Sequence, residues 1–116
     1  EKVAKVASKG YVPGLDGRRI LVRSEHAALN SLLQGCGAII AKQWCIEAHK
    51  TLRQQGLPVQ QVAFVHDEIQ VEAEEKHGEQ VAQIMCDAAS QAGLTLGFRC
   101  PVDAEAKIGN NWFDTH

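Results

Sequence analysis

The sequence lacks the features that mark membrane and secreted proteins. Its 116 residues contain no apolar run near the roughly 18 residues that a membrane-spanning helix needs, and no stretch resembles a secretory signal. Repeats, low-complexity tracts and linker-like stretches are missing too. With 45% hydrophobic and 22% charged residues, the composition is typical of one compact domain with a modest core of its own. We therefore expect neither a membrane partner nor secretion.

Cysteine pairs with metal-ligand spacing are also missing. The four cysteines, at positions 36, 45, 86 and 100, form no Cys-x-x-Cys pair, so neither a zinc ribbon nor a redox dithiol is supported. Without a signal peptide, we expect reduced, buried thiols in a cytoplasmic protein. The only methionine is Met85, so we expect that Glu1 is not the natural start and that the chain is part of something longer.

The net charge of -2 hides an uneven distribution. Residues 1–60 carry nine Lys/Arg and four Asp/Glu, a balance of +5, whereas residues 61–116 carry three and ten, a balance of -7. A basic half beside an acidic half suggests a polyanionic partner on one side and cation binding on the other. Two ordinary solvated faces would give the same numbers, and composition alone leaves both interpretations open.

Hydrophobic periodicity predicts an α+β fold, an antiparallel sheet with helices packed on it. The apolar stripe of the last helix is assigned to Val81, Ile84, Met85 and Ala88, and Ser24 is the predicted N-cap of the long helix. Trp112 is expected to fill the core. In chain order, the predicted elements are a helix over 1–9, a hairpin over 11–23, a helix over 25–55, strands over 61–65 and 69–73, a helix over about 78–92 and a strand-like tail over 98–108.

The first candidate site is the connection between the two predicted strands, where His66, Asp67 and Glu68 stand between hydrophobic runs. A tight connection would lift the carboxylates of Asp67 and Glu68 out of the sheet, where they can hold a hard cation such as Mg²⁺. In a two-metal site, such ions activate the attacking oxygen and stabilise the leaving one. The same residues also fit an ordinary solvated turn.

The second candidate is a polar face of the long helix, lined by His26, Asn30 and Gln34 at four-residue spacing. Amide donors can bind the minor-groove acceptors, which look alike for A·T and T·A, and so can hold duplex DNA of many sequences. A polar stripe at a helix–helix contact is the alternative. Gly35 and Gly37 cost about 1 kcal/mol each within a helix, and we interpret them as points of close approach.

Basic side chains in the first half form a third candidate site. They could contact phosphates or simply form a solvated surface. These residues are Lys2, Lys5, Lys9, Arg18, Arg19 and Arg23.

Four sequence blocks stand in a fixed order from about Gly14 to His116. They are Gly14-Leu15-Asp16-Gly17-Arg18, HAALNSLLQG (26–35), VHDEIQV (65–71) and Gly109-x-Asn111-Trp112-x-x-x-His116. In this order they resemble the C-terminal part of a family A (DNA polymerase I-like) DNA polymerase, closest to the phage replicative type. The resemblance implies a palm-like subdomain of a right-hand polymerase. Residues 1–24 would form a fingers-side helix and hairpin, and residues 25–116 the palm core with its metal-binding hairpin.

The resemblance also implies residue roles. Asp67 matches the metal-binding aspartate and Glu68 its acidic neighbour, while His66 matches a residue near the primer 3′ end. His116 matches the family's C-terminal histidine, close to the active site. The implied DNA contacts are Asn30 and Gln34, together with His26, which stands where bacterial members usually have Arg, and Arg23.

The implied function is that of a fragment of a DNA-directed DNA polymerase, which adds deoxynucleotides to a primer 3′-OH by two-metal phosphoryl transfer with Mg²⁺. Its partners would be primer–template DNA, a deoxynucleoside triphosphate and the rest of the polymerase chain, in the cytoplasm of a bacterial or phage-infected cell. A second metal aspartate and the fingers motif are missing from residues 1–116, so we expect the fragment alone to be inactive.

Two other functional classes remain open at this stage. One is a non-catalytic DNA-binding module, or a subunit of a split polymerase, that retains the face of Asn30 and Gln34. The other is a small metal-dependent hydrolase built on residues 66–68, for which His77 and Asp103 are the only further candidate ligands.

Overall fold

Helices and two antiparallel hairpins make up the chain in a computed structural model that describes residues 2–116, with side chains from residue 5 onward. The elements are α1 (Lys2–Ala7), β1 (Tyr11–Pro13), β2 (Arg19–Leu21), α2 (Ala28–Gln54), β3 (Val59–Val65), β4 (Glu68–Ala73) and α3 (Gly78–Thr95), with short 3-10 turns at Glu25–Ala27, Glu75–His77 and Phe113–Thr115. The predicted α+β class is confirmed. The strands form two separate two-stranded sheets, β1–β2 and β3–β4.

The described residues form two compact units, the first ending at Ile40 and the second running from Ala41 to His116. The predicted division at residue 24, between a fingers-side part and a palm core, stays a prediction.

The first unit packs the β1–β2 hairpin and α1 around a small core. Ala7, Val12 and Ala28 are buried there. A Cβ on Gly35 would lie 2.8 Å from Cδ1 of Ile20, so the prediction of a close approach at this glycine is confirmed. The same prediction is wrong for Gly37, because a Cβ there would meet open space.

The start of the long helix is capped as predicted. The Ser24 hydroxyl accepts a hydrogen bond from the backbone N–H of Ala27 at 3.3 Å. Because the first turn, Glu25–Ala27, is 3-10 helical, α2 itself begins only at Ala28. His26 therefore precedes the α-helix and does not belong to one continuous α-helical row with Asn30 and Gln34.

The core of the second unit lies between the end of α2, one face of α3 and the β3–β4 hairpin. It contains Ala48, Leu52, Val81, Ile84, Met85 and Ala88, so the predicted stripe of α3 is confirmed. Trp44 lies at the edge of this cluster, and its indole N–H donates to the carbonyl of Met85 at 2.7 Å. That bond satisfies the one polar atom of a large apolar side chain and ties α2 to α3.

The register of the β3–β4 hairpin assigns its side chains to two faces. Val59 pairs with Ala73 and Phe64 with Ile69 on the face toward the core, whereas Val65 pairs with Glu68 on the opposite face. An irregularity between Gln61 and Ala63 leaves one β3 residue unpaired, as in a β-bulge. Glu68, Gln70 and Glu72 thus share the face that looks away from the core.

The prediction of a strand over 98–108 is wrong. Val102 lies against Gly93 of α3, and Ile108 lies against Gly78. Gly78 precedes Gly93 by fifteen residues in the helix. Fifteen helical residues span about 22 Å, and six extended residues span about 20 Å, so the segment runs nearly straight along the helix. Its neighbour is a helix and not a strand, and of the alternating apolar residues Val102 and Ala104 are half-buried whereas Ala106 and Ile108 are exposed.

The prediction that the thiols are buried is wrong. The four thiols are free, as predicted, but Cys36, Cys45 and Cys86 are only half-buried and Cys100 is exposed. Burial raises the pKa of the Cys86 thiol. Leu29 and Leu33 on the long helix are exposed, although they follow its helical period of apolar residues.

Among residues 2–116, no helix combines the length and the apolar character needed to cross a bilayer.

We predict that Gly93→Ala destabilises the protein and that Gly37→Ala does not. The added methyl would lie 2.7 Å from Cγ2 of Val102 and force the tail away from α3, at a cost of about 1–3 kcal/mol. At Gly37 the methyl meets no atom, so better helix propensity should raise the free energy of unfolding by up to about 1 kcal/mol. Urea denaturation of both variants measures the difference. Equal effects at the two positions would contradict the proposed packing of the tail on α3.

Candidate active site

The β3–β4 connection is a two-residue turn formed by His66 and Asp67. Val65 ends β3 and pairs with Glu68, which begins β4. His66 has φ 56°, and it is the one non-glycine residue among those described with a positive φ. Positive φ at only the first central position matches the pattern of a type II′ hairpin turn, where glycine is usual. The tip is therefore strained at the residue next to the predicted metal-binding aspartate.

Asp67 lies at this tip with its side chain exposed. Among the described side chains it has no hydrogen bond or salt bridge within the chain, so its oxygens are open to an external ligand. A carboxylate oxygen is a donor that Mg²⁺ accepts, and one or two protein carboxylates commonly suffice when substrate phosphates and water fill the remaining positions. Asp67 can therefore contribute one ligand to such an ion.

Within residues 2–116, no three His, Cys, Asp or Glu side chains gather where they could hold a metal ion. His77 and Asp103 do not complete a site with residues 66–68, as a self-contained hydrolase would require.

Glu68 differs from Asp67, because both of its oxygens are already hydrogen-bonded. Gln70 Nε2 donates to Oε1 at 2.6 Å, and His116 Nε2 lies 3.0 Å from Oε2. The hydrogen bond from Gln70, followed by the charge and hydrogen bond of His116, holds the pKa of the Glu68 carboxyl below its ordinary value. Glu68 belongs to a strand and not to the tip. The expectation that the tip lifts both carboxylates out of the sheet therefore describes Asp67 only.

The chain after Ile108 folds into a tight turn with its own local hydrogen bonds. The Asn111 side chain accepts from the backbone N–H of Asp114 at 3.0 Å, and the Asp114 carboxylate accepts from the backbone N–H of Asn110 at 3.1 Å. This reciprocal pattern is related to a helix capping box. A Cβ on Gly109 would collide with Asp114, so only glycine fits there.

His116 closes this turn over Trp112. The two rings stack with centroids 5.3 Å apart and planes 8° apart. His116 Nδ1 lies 2.9 Å from the carbonyl oxygen of Trp112, and Nε2 faces Glu68, so the two N–H groups of a protonated ring would both find acceptors. The expectation that Trp112 fills the core is wrong: its side chain is 48% exposed and supports His116.

The candidate DNA-contact residues all lie in the first unit and are exposed. Asn30 and Gln34 follow one another on α2, one turn apart, while His26 lies in the preceding 3-10 turn and Arg23 just after β2. These positions leave their donors accessible to a ligand. Whether they touch DNA stays a prediction.

The basic residues of the first unit are partly engaged within it. Arg18 forms a salt bridge to Asp16 at 2.7 Å, and its hydrogen bond lowers the pKa of the Asp16 carboxyl. The Arg19 guanidinium lies 4.8 Å from the centre of the Tyr11 ring. Lys5, Lys9 and Arg23 are exposed and form no salt bridge with the described side chains. The side chain of Lys2 lies outside the described residues.

Sequence reasoning missed Gln70 and Thr115. Gln70 Nε2 lies 3.4 Å from Thr115 Oγ1, so its amide joins β4 to the turn over Phe113–Thr115. A polar residue two positions after Glu68 must share its face of the strand, and this period of two was the available signal.

The comparison with known proteins decides the family. The sequence model of DNA polymerase family A matches residues 1–114. The chain belongs to this family. It is 42% identical to the DNA-directed DNA polymerase of Escherichia phage T7 over 116 residues, and 33% identical to the DNA polymerase I of Aquifex aeolicus over 110 residues. These alignments cover 91% and 93% of this chain.

A solved structure is similar throughout the described fold. It is the POL domain of Pol1 from M. smegmatis in complex with a DNA primer-template and dNTP, with a TM-score of 0.85 and 26% identity over 98% of this chain. The chain spans only 16% of the phage T7 relative, 19% of the Aquifex relative and 22% of the solved chain. In this family A polymerase chain, the palm-like α+β fold expected from the four blocks is confirmed.

We predict that His66→Gly stabilises the hairpin. Glycine adopts positive φ without the roughly 1–2 kcal/mol steric cost of a Cβ, which exceeds the roughly 0.5–1 kcal/mol of added chain entropy. His77→Gly is the matched control, since His77 has φ -104° and gains no relief. Urea unfolding should show a higher free energy of unfolding for His66→Gly and a lower one for His77→Gly. A loss at both positions would show that His66 is unstrained.

Proposed function

We propose that this chain is part of the palm of a DNA-directed DNA polymerase and supplies one half of a two-metal site for adding deoxynucleotides to a primer 3′-OH. The observation that carries the proposal is Asp67: an exposed carboxylate without a partner among the described side chains, at a strained hairpin tip, in a chain of family A. The partners would be primer–template DNA, a deoxynucleoside triphosphate and the remainder of the polymerase chain, in the cytoplasm of a bacterial or phage-infected cell.

Asp67 would hold Mg²⁺ through its carboxylate. When bound, the metal would stabilise the charge that develops on the transferring phosphoryl group. The hairpin contributes rigidity, because both neighbours of the turn are fixed by strand pairing and its core face is packed. A ligand held on a rigid element reduces the entropy lost in aligning primer and nucleotide. His66, beside Asp67 on the same turn, would contact the primer 3′ end.

The polar face of the first unit would bind the duplex without reading its sequence. Asn30 and Gln34 offer amide donors suited to the minor-groove acceptors, and the exposed Arg23 and His26 can approach phosphates. Two-metal transfer needs a second metal-binding carboxylate, and we infer that the remainder of the polymerase chain supplies it, since the described residues gather no metal-binding cluster.

We predict that Asp67→Ala in the full-length polymerase abolishes primer extension and leaves primer–template binding within about twofold. The loss of rate should exceed the roughly 10- to 100-fold cost of removing an outer-shell partner of a metal. Single-turnover extension measures the rate, and fluorescence anisotropy measures DNA affinity.

Glu72→Ala is the matched control for this variant, because Glu72 is an exposed carboxylate on the same hairpin, opposite Gln60. It should leave both readouts unchanged. If binding falls as far as rate in Asp67→Ala, the role of Asp67 is not mainly catalytic.

We predict that Asn30→Ala and Gln34→Ala each weaken primer–template binding by about 3- to 10-fold, the usual worth of one net hydrogen bond. The loss should be similar for A·T-rich and G·C-rich duplexes and should leave the salt dependence unchanged, since no phosphate charge is lost. Anisotropy titrations at two salt concentrations test both points. A steep change in salt dependence, as expected for Arg23→Ala, would place the amides on the backbone instead of the groove.

A further inference from the structure

One side-chain network joins β4 to the turn over Phe113–Thr115. Gln70 Nε2 lies 2.6 Å from Glu68 Oε1 and 3.4 Å from Thr115 Oγ1, and His116 Nε2 lies 3.0 Å from Glu68 Oε2. These side chains all lie on the hairpin face that looks away from the core. No backbone hydrogen bond outside the regular elements links the two segments, so within residues 2–116 their polar connection consists of these side chains.

The turn makes its internal bonds without help from β4. Asn111, Asp114 and Gly109 fix its backbone, and Thr115 Oγ1 donates to the carbonyl of Trp112 at 2.8 Å. Glu68 and Gln70 of β4 determine where the preformed turn is attached. Without them, the turn would keep its shape but lose its attachment beside the hairpin.

Glu68 is poorly suited to a direct metal bond while this network is intact. Each of its oxygens accepts a hydrogen bond, and binding a cation would mean giving up His116 or Gln70. Asp67, one residue earlier, has no such commitment among the described side chains. Of the two neighbouring carboxylates, Asp67 can therefore bind a cation without breaking a described hydrogen bond, whereas Glu68 cannot.

We propose that Glu68 and Gln70 are positioning residues that dock the 113–116 turn on β4 and so fix the His116 ring beside the Asp67 tip, and that Glu68 is not a direct metal ligand. The consequence for nucleotide addition rests on the proposed function. The docking itself does not.

Hydrogen exchange of the full-length polymerase, without DNA or nucleotide, tests the docking. The backbone N–H groups of Thr115 and His116 donate within the turn, so a peptide covering 110–116 reports on its order. We expect Gln70→Ala to speed exchange in this peptide about 3- to 10-fold and Glu68→Ala more than 10-fold, since charge-assisted bonds are the stronger ones. Glu68→Gln, which keeps one acceptor oxygen, should restore part of the protection.

Two controls keep the exchange result specific. Glu72→Ala, on the same face of β4, should leave the 110–116 peptide unchanged, and a peptide from α3 over 81–92 should stay protected in every variant. If Glu68→Ala also exposes the α3 peptide, Gln70→Ala alone decides the docking, because it removes a contact to the turn and none within it. Unchanged exchange at 110–116 in Glu68→Ala and Gln70→Ala would overturn the docking.

Binding of Mn²⁺ alone, followed by electron paramagnetic resonance, separates positioning from ligation. We expect Glu68→Ala and Gln70→Ala to bind Mn²⁺ within about twofold of the parent, and Asp67→Ala to bind it at least 10-fold more weakly. If Glu68→Ala loses Mn²⁺ as Asp67→Ala does, Glu68 is a metal ligand and the positioning role is wrong. If Asp67→Ala keeps its Mn²⁺ affinity, the proposed function fails, whereas the exchange result still decides the docking.

Discussion

The register of the β3–β4 hairpin determines where every side chain of the candidate active site can lie. Because the turn holds only His66 and Asp67, Val65 must face Glu68, and positions 68, 70 and 72 must share one side of the strand. A slip by one residue would bring Ile69 to that side and move the Glu68 carboxylate onto the packed core. The strain at His66 is tolerated because strand pairing and core packing hold both ends of the turn in place.

The tail after α3 is the second constraint, since it carries the 109–116 turn to β4. Its path depends on one glycine of α3, since Gly93 admits Val102 where a Cβ would collide, whereas Ile108 passes Gly78 at an ordinary contact distance. Between these contacts the tail is almost fully stretched, so a deletion could not be absorbed without moving Gly109. The packing of Val102 on Gly93, more than ten residues before His116, thus helps to determine where the His116 side chain lies beside the hairpin.

Local sequence signals predicted what depends on local physics. The Ser24 cap, the α3 stripe and the β3–β4 hairpin follow from periodicity and capping, and all three are present. The tail differs from its prediction because alternation indicates an extended segment and cannot show whether a strand or a helix lies beside it. Leu29 and Leu33 are exposed although they follow the helical period, because a period of 3.6 identifies an apolar face without showing what packs on it.

The candidate site was predictable as a set of residues but not as a set of roles. Asp67 and Glu68 are neighbours of the same charge, and sequence reasoning treats them as one acidic pair. The turn ends between them: Asp67 remains on the two-residue loop, while Glu68 enters the strand and meets Gln70 and His116. The same logic explains the spacing of Gly109, Asn111, Trp112 and His116. Gly109 permits the close approach of Asp114, Asn111 caps the turn, and Trp112 supports the His116 ring. These residues define a single local structure, which is attached to the hairpin at Glu68.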